Sequence, residues 1–110
     1  MSEHHPVIVC LTTTKDQEEA RSIAGQLIEE SLAACVQIDT PIESHYRWEG
    51  KVCRETEYRL VIKTSVEKTA ALRERLRTIH SYDQPQIVML ASHDADPGYA
   101  RWVHEETAGR

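Results

Sequence analysis

Apolar and polar residues along this chain alternate with two different periods. Pro6 to Thr13, PVIVCLTT, is a continuous apolar run rich in β-branched residues, the pattern of a central strand buried on both faces. From Ala20 onward the period lengthens. Ala20, Ile23, Ala24, Leu27, Ile28 and Leu32 recur every three or four residues while Arg21, Gln26, Glu29 and Glu30 fall elsewhere on the wheel, which predicts a helix with one apolar stripe. Asp16 stands where an N-cap is needed, and Glu18 and Glu19 lie near the positive end of the helix dipole. Val36, Ile38 and Ile42 then begin a second strand. Pro41 has no amide proton to give to a ladder, so this strand lies at a sheet edge or breaks there.

The stretch Glu43 to Thr64 reads as one long hairpin turning at Glu49-Gly50-Lys51. Its second arm places Tyr58, Leu60 and Ile62 on one face and Glu57, Arg59, Val61 and Lys63 on the other. A strand over 51–64 at about 3.3 Å per residue is roughly 45 Å long. A compact domain of about 100 residues has a radius of gyration near 13 Å, roughly 34 Å across. The hairpin should therefore outrun its domain, and its tip carries Tyr46 and Trp48, so the geometry predicts that another copy of the chain covers it.

Ser65 is placed to cap a second helix over 66–80, with Val66, Leu72, Leu76 and Ile79 as its core stripe and Arg73, Glu74, Arg75 and Arg77 in solvent. A turn at 81–85 leads to a strand over 86–91. Tyr99, Trp102 and Val103 predict a short tail helix whose aromatic side covers an edge or a neighbouring subunit. Strand, helix, strand, strand, helix, strand is the order of an α+β, ferredoxin-like βαββαβ sandwich, here with a long hairpin and a C-terminal helix. First and third strands are then central, second and fourth are edges, and residues 1–110 form one domain with 1–5 expected to be disordered.

A net charge of −5 without any Lys/Arg cluster argues against nucleic acid as a partner. No apolar run approaches the roughly 18 residues of a membrane span, and Met1 to Pro6 has no signal-peptide core, which points to a cytoplasmic protein with no membrane partner. Cys10, Cys35 and Cys53 are far apart and form no Cys-x-x-Cys pair, so reduced thiols are expected rather than a disulfide framework or structural zinc.

Several motifs occur together in one order: Thr12-Thr13 with Glu18-Glu19-Ala20, Leu32 to Val36, Ser44-x-Tyr46-x-Trp48-x-Gly50, Glu57 before Ile62-Lys63-Thr64, His80-x-Tyr82-x-x-Pro85, and Tyr99-x-x-Trp102. Between Val7 and Val103 the chain resembles the CutA divalent-cation tolerance family. That resemblance implies a non-enzymatic homotrimer of ferredoxin-like subunits, similar in architecture to the PII signalling proteins, with hairpins joining across subunits. It also implies a role in tolerance of divalent metals, with copper or another divalent cation as the bound ion. In some members copper is attributed to a cysteine late in the first strand and a His-His pair ending the second helix. Those positions are Thr12, Ile79 and His80 here, so only His80 matches. Ser81 and Gln86 also depart from the usual proline and glutamate, and Gln37 from the usual asparagine.

Tyr46, Trp48, Glu57, Lys63, His80 and Tyr82 are the side chains nominated for a polar-aromatic cleft at a subunit boundary, with Cys35 as a further member. In the ligand-binding reading Lys63 supplies a positive charge for a small anion, Glu57 an acceptor or hard ligand, and His80 a borderline metal ligand. Cys35 as a thiolate would suit a soft ion such as Cu(I), although free cysteine is most often a small buried side chain. The same residues also suit an inter-subunit network that only orders the assembly. Three functional readings follow: a metal-tolerance trimer, a PII-like sensor of an anionic metabolite, and a structural scaffold. No nucleophile-base-orienter set asks for an enzyme, since Ser44 and His45 are strand neighbours on opposite faces.

Overall fold

The apolar run near the N-terminus and the second hairpin arm lie side by side. In the computed structural model, which describes residues 5–109, β1 (Ile8–Thr14) pairs antiparallel with the later half of β4 (Lys51–Thr64), from Ile8 opposite Thr64 to Thr14 opposite Tyr58. β2 (Cys35–Ile38) adds to the other side of β4, and β5 (Val88–Ala91) to the other side of β1, giving the order β2-β4-β1-β5 with β2 and β5 as edges. β3 (Ile42–Trp48) pairs only with the first half of β4. α1 (Gln17–Glu29) and α2 (Thr69–Ile79) cover one face, burying Ala20, Ile23, Leu27, Leu72 and Leu76 against Cys10, Leu60 and Ile62. This is the expected ferredoxin-like α+β sandwich.

Local signals set most boundaries. Asp16 caps α1, its Oδ1 accepting from the Glu19 amide at 2.8 Å. α2 starts later than its stripe suggests. Val66–Lys68 forms a 3-10 turn with Val66 half exposed, and the Ser65 hydroxyl, expected as a cap, instead hydrogen-bonds the Thr107 hydroxyl at 2.9 Å. β5 begins at Val88 rather than at residue 86. α3 (Pro97–Thr107) is capped by Asp96, which accepts from the Tyr99 amide at 3.0 Å. Its small residues Ala100 and Val103 pack on Val7, while Tyr99 and Trp102 stay exposed. The seam therefore lies on the small face of α3 and not on its aromatic side, because Ala100 and Val103 allow the closer approach. Of residues 1–5, residues 1–4 lie outside the described residues, and the His5 ring stacks on His104 with 4.6 Å between centroids.

Two features of the sheet bear on function. α1 and α2 cover the face that carries Cys10, Leu60 and Ile62, and α3 reaches the opposite face only at its Val7 end. On the opposite face Val9, Leu11 and Val61 are half buried, and Val88 and Leu90 are 43% and 51% exposed. Within one chain the Val9 and Leu11 side of β1 is thus only half buried, although its run is apolar on both faces. The other feature is the hairpin. β3 and β4 turn through Glu49 and Gly50, both at positive φ (50° and 79°), as a two-residue turn matched to strand twist requires. They extend well past the four-stranded region, so the described chain measures 53 × 26 × 23 Å.

One defect in the fold is chemically simple. Thr12 faces the core opposite Leu60, and its Oγ1 is buried without a hydrogen-bond partner. An unpaired buried hydroxyl costs about 1–3 kcal/mol. Thr12→Val, of similar volume, is therefore expected to raise stability by about 1 kcal/mol, read as a higher urea midpoint at unchanged slope. A lower midpoint would mean that the hydroxyl has a partner in solution.

A candidate ligand cleft beside the hairpin

Register decides which side chains meet. Three residues, Asp39, Thr40 and Pro41, separate the β2 and β3 ladders, while only Tyr58 and Arg59 separate the matching stretches of β4. One extra residue is thus taken up at Pro41, as in a β-bulge. Continuing the β2 register would set Tyr46 opposite Val52. The bulge sets it opposite Cys53, with Ser44 opposite Glu55 and Ile42 opposite Glu57. Directly opposed residues share a face, so Ser44, Tyr46 and Trp48 come to lie on the face of Glu57.

There they line a cleft of about 530 Å³. Thr13 of β1 forms part of its wall, and Tyr82, Asp83, Gln84 and Gln86 close the side away from the hairpin. Glu57 is only 8% exposed, and its Oε2 accepts from the Tyr82 hydroxyl at 2.8 Å. Burial, then the hydrogen bond to Glu57, push the Tyr82 phenol far above its usual range, so it stays protonated and donating. The Tyr46 phenol is also raised, by desolvation first and then by Cys53, Glu55 and Glu57 nearby. Tyr46 and Trp48 are 43% and 48% exposed.

Two anchors hold the Tyr82 segment against the sheet. His80 is buried, and its Nδ1 accepts from the Tyr82 amide at 3.1 Å. Nε2 therefore carries the proton and donates to the Thr13 carbonyl at 2.8 Å. Both ring nitrogens are engaged, so in this arrangement His80 positions two cleft residues and offers no free lone pair to a metal. Glu19 is the other anchor, accepting from the Ser81 amide at 2.8 Å and the Ser81 hydroxyl at 2.9 Å. A proline at position 81 has neither donor. The serine there is thus used in full.

The nominated residues separate into two places. Tyr46, Trp48, Glu57 and Tyr82 line the cleft, and His80 stands behind it. Lys63 shares the face of Glu57 but lies six residues along β4, roughly 20 Å away at strand rise, and its ammonium bonds Gln37. Cys35 sits opposite Lys63 at that far end, near Tyr99. Within a single chain, sharing a face does not bring Lys63 and Cys35 to this cleft. Thr13, Ser44, His45, Asp83, Gln84 and Gln86 also line the cleft, and the sequence signal for the last three is a polar run flanking Tyr82. Among the described residues no group of three or more His, Cys, Asp or Glu side chains is placed to hold a metal ion. No helix of the described chain is long and apolar enough to cross a membrane.

Comparison with known proteins is uniform along the chain. A family model described as CutA1 divalent ion tolerance protein matches residues 8–106. The divalent-cation tolerance protein CutA of Thermus thermophilus is 40% identical over 99 residues, covering 90% of this chain and 96% of that protein. A chloroplastic CutA 1 of rice is 39% identical over 102 residues, and there the match spans 93% of this chain and only 58% of the relative. Among solved structures, CutA1 of Ehrlichia chaffeensis superposes with a TM-score of 0.90 at 30% identity, covering 96% of this chain and 99% of that one. A structure from Archaeoglobus fulgidus described as a periplasmic divalent cation tolerance protein gives 0.86 at 36% identity, covering 94% and 99%.

The Glu19 anchor has a pH signature. Burial alone would raise its carboxyl, but the Ser81 hydroxyl and amide, then His80 and Lys15, outweigh that and leave it below its ordinary 4.5. A depressed carboxyl contributes stability that is complete above about 4.5 and is lost as pH falls through the folded-state value. Glu19→Gln is expected to flatten the acid limb of thermal stability below pH 4.5, while lowering the melting temperature at neutral pH. An unchanged acid limb in the variant would remove Glu19 as an anchor.

Proposed function

The chain belongs to the CutA1 divalent ion tolerance family, and from that premise we propose that it is a non-enzymatic homotrimer of divalent-metal tolerance, acting in the cytoplasm with copper as its principal ion. The family match over residues 8–106 carries the metal role. Assembly is supported by the sheet: Val9, Leu11, Val61, Val88 and Leu90 form an apolar face that no helix covers, and β3 with residues 51–57 of β4 is a two-stranded ribbon with both outer edges unpaired. Such a ribbon is marginal alone and is stabilised by another subunit. Cys10, Cys35 and Cys53, all free thiols, suit a reducing compartment.

A second reading, a PII-like trimer that senses a small ligand, is favoured by one observation, the cleft around the Glu57–Tyr82 pair. Its ligand cannot use Lys63 as counter-charge in the same subunit, since that ammonium lies at the far end of β4. The two readings share one architecture. They differ in what occupies it.

Light scattering at micromolar concentration is expected to give three times the 12.6 kDa chain mass, and a monomer would contradict the assembly. Calorimetric copper titration of the wild type, Cys35→Ala, His80→Ala and Glu57→Ala is expected to show stoichiometric binding that at least one change weakens about tenfold, the loss of one good ligand. Absence of stoichiometric binding would overturn direct copper binding. Binding untouched by all three would remove these residues from the metal site.

A further inference from the structure

We propose that the cleft beside the hairpin is a site for an organic cation: an ammonium or guanidinium group on a small apolar body. The inference goes beyond metal tolerance and does not depend on copper binding. Three independent features of the cleft agree on it. The first is sign. Glu57, Asp83 and His45 line the cleft, the His45 ring being bonded to Glu43 at 2.7 Å, and no Lys or Arg does, so an anion placed there would meet two carboxylates and no permanent cation of its own subunit.

The second is an incomplete pairing. Glu57 is largely buried, and the oxygen that the protein leaves unpaired is the one open to the cleft. Oε2 has the Tyr82 hydroxyl, whereas no hydrogen bond among the described residues engages Oε1. An ammonium or guanidinium N–H supplies a charged donor, which makes shorter and stronger bonds than a neutral one.

The third is the wall opposite. The bulge at Pro41 turns Tyr46 and Trp48 to the Glu57 face, where their own chain leaves both rings about half exposed. An aromatic ring near a carboxylate attracts organic cations through the ring quadrupole on one side and full charge on the other. Tyr46 is the ring that the Glu57 charge reaches, whereas Trp48, opposite Lys51, stands at the far end of the cleft, where an apolar body would lie. The volume of about 530 Å³ falls within the range of small-molecule sites and leaves room for an apolar body on the cationic group. A bare metal ion uses neither the rings nor that room.

The test is isothermal titration of the full-length assembled protein at constant ionic strength with four probes of similar size: n-butylammonium, n-butylguanidinium, n-pentanol and butyrate. The two cations distinguish which head group is preferred. At least one is expected to bind about tenfold tighter than the alcohol or the carboxylate, the scale of one partly desolvated cation–π contact with an ion pair. Glu57→Gln retains an acceptor for Tyr82, and is expected to erase that preference without changing assembly mass or circular dichroism. Asp83→Asn, on an exposed turn, is expected to reduce it severalfold. Equal affinity for butylammonium and pentanol, tighter binding of butyrate, no cation binding, or a preference that survives both substitutions would overturn the proposal. Copper titration of the same preparation reports on metal binding separately, so failure of one does not imply failure of the other.

Discussion

Backbone hydrogen bonding along β4 is the constraint on which the rest of the structure depends. This single strand satisfies β1 on one side and β2 on the other over its later half, and β3 alone over its earlier half. Its ladder to β2 and its ladder to β3 are out of phase by one residue. The two-residue turn at Glu49-Gly50 fixes the β3 register from one end, and the Ala34 amide bonded to the Lys63 carbonyl at 2.9 Å fixes β2 from the other. The mismatch has to be absorbed between them, at a residue that needs no ladder bond. Pro41 meets that condition. Because strand side chains alternate faces, this one-residue slip decides that Tyr46 and Trp48 stand with Glu57 and not behind it.

Much of this was legible in the sequence, and the rest was not for identifiable reasons. Element order, the Asp16 cap and the long hairpin follow from period, capping chemistry and rise per residue, all of which are local. The break at Pro41 was legible as one of two outcomes, but its phase was not, since phase depends on two separate ladders meeting one strand. The separation of Lys63 from Glu57 within one chain is hidden by the same kind of limit. Alternation along β4 assigns it correctly to the face of Glu57, yet says nothing of the roughly 20 Å that six residues of extended strand put between them. The expected burial of β1 on both faces rested on its unbroken apolar run, PVIVCLTT, and a run cannot say whether the cover comes from the same chain. Val66 and Ser65 departed because a buried Thr107 hydroxyl, 42 residues away, competes for the cap.

The cleft is held by groups that do not enter it. His80 ties the Tyr82 amide to the Thr13 carbonyl through one ring, so β1 and the post-helix turn keep a fixed spacing across the Glu57–Tyr82 bond. Glu19, at the start of α1, grips the same turn one residue earlier. Three elements distant in sequence therefore converge on one carboxylate, and the orientation of Glu57 is set by packing as well as by its own rotamer. That explains how a largely buried carboxylate is tolerated at the base of a cleft. Its one strong donor, the Tyr82 phenol, remains protonated because the same burial that surrounds it disfavours the phenolate.

The open face of the sheet and the bare ribbon of the hairpin are best understood together. On the face away from α1 and α2, α3 packs on Val7 through Ala100 and Val103 and leaves Val88 and Leu90 exposed. In the proposed assembly other copies of the chain would supply both missing covers at once, an apolar surface for Val9, Leu11 and Leu90 and a strand edge for residues 51–57. The proposed assembly therefore follows from the same feature that builds the cleft. A β4 too long for its own domain leaves an unpaired stretch, and Glu57 lies where that stretch begins.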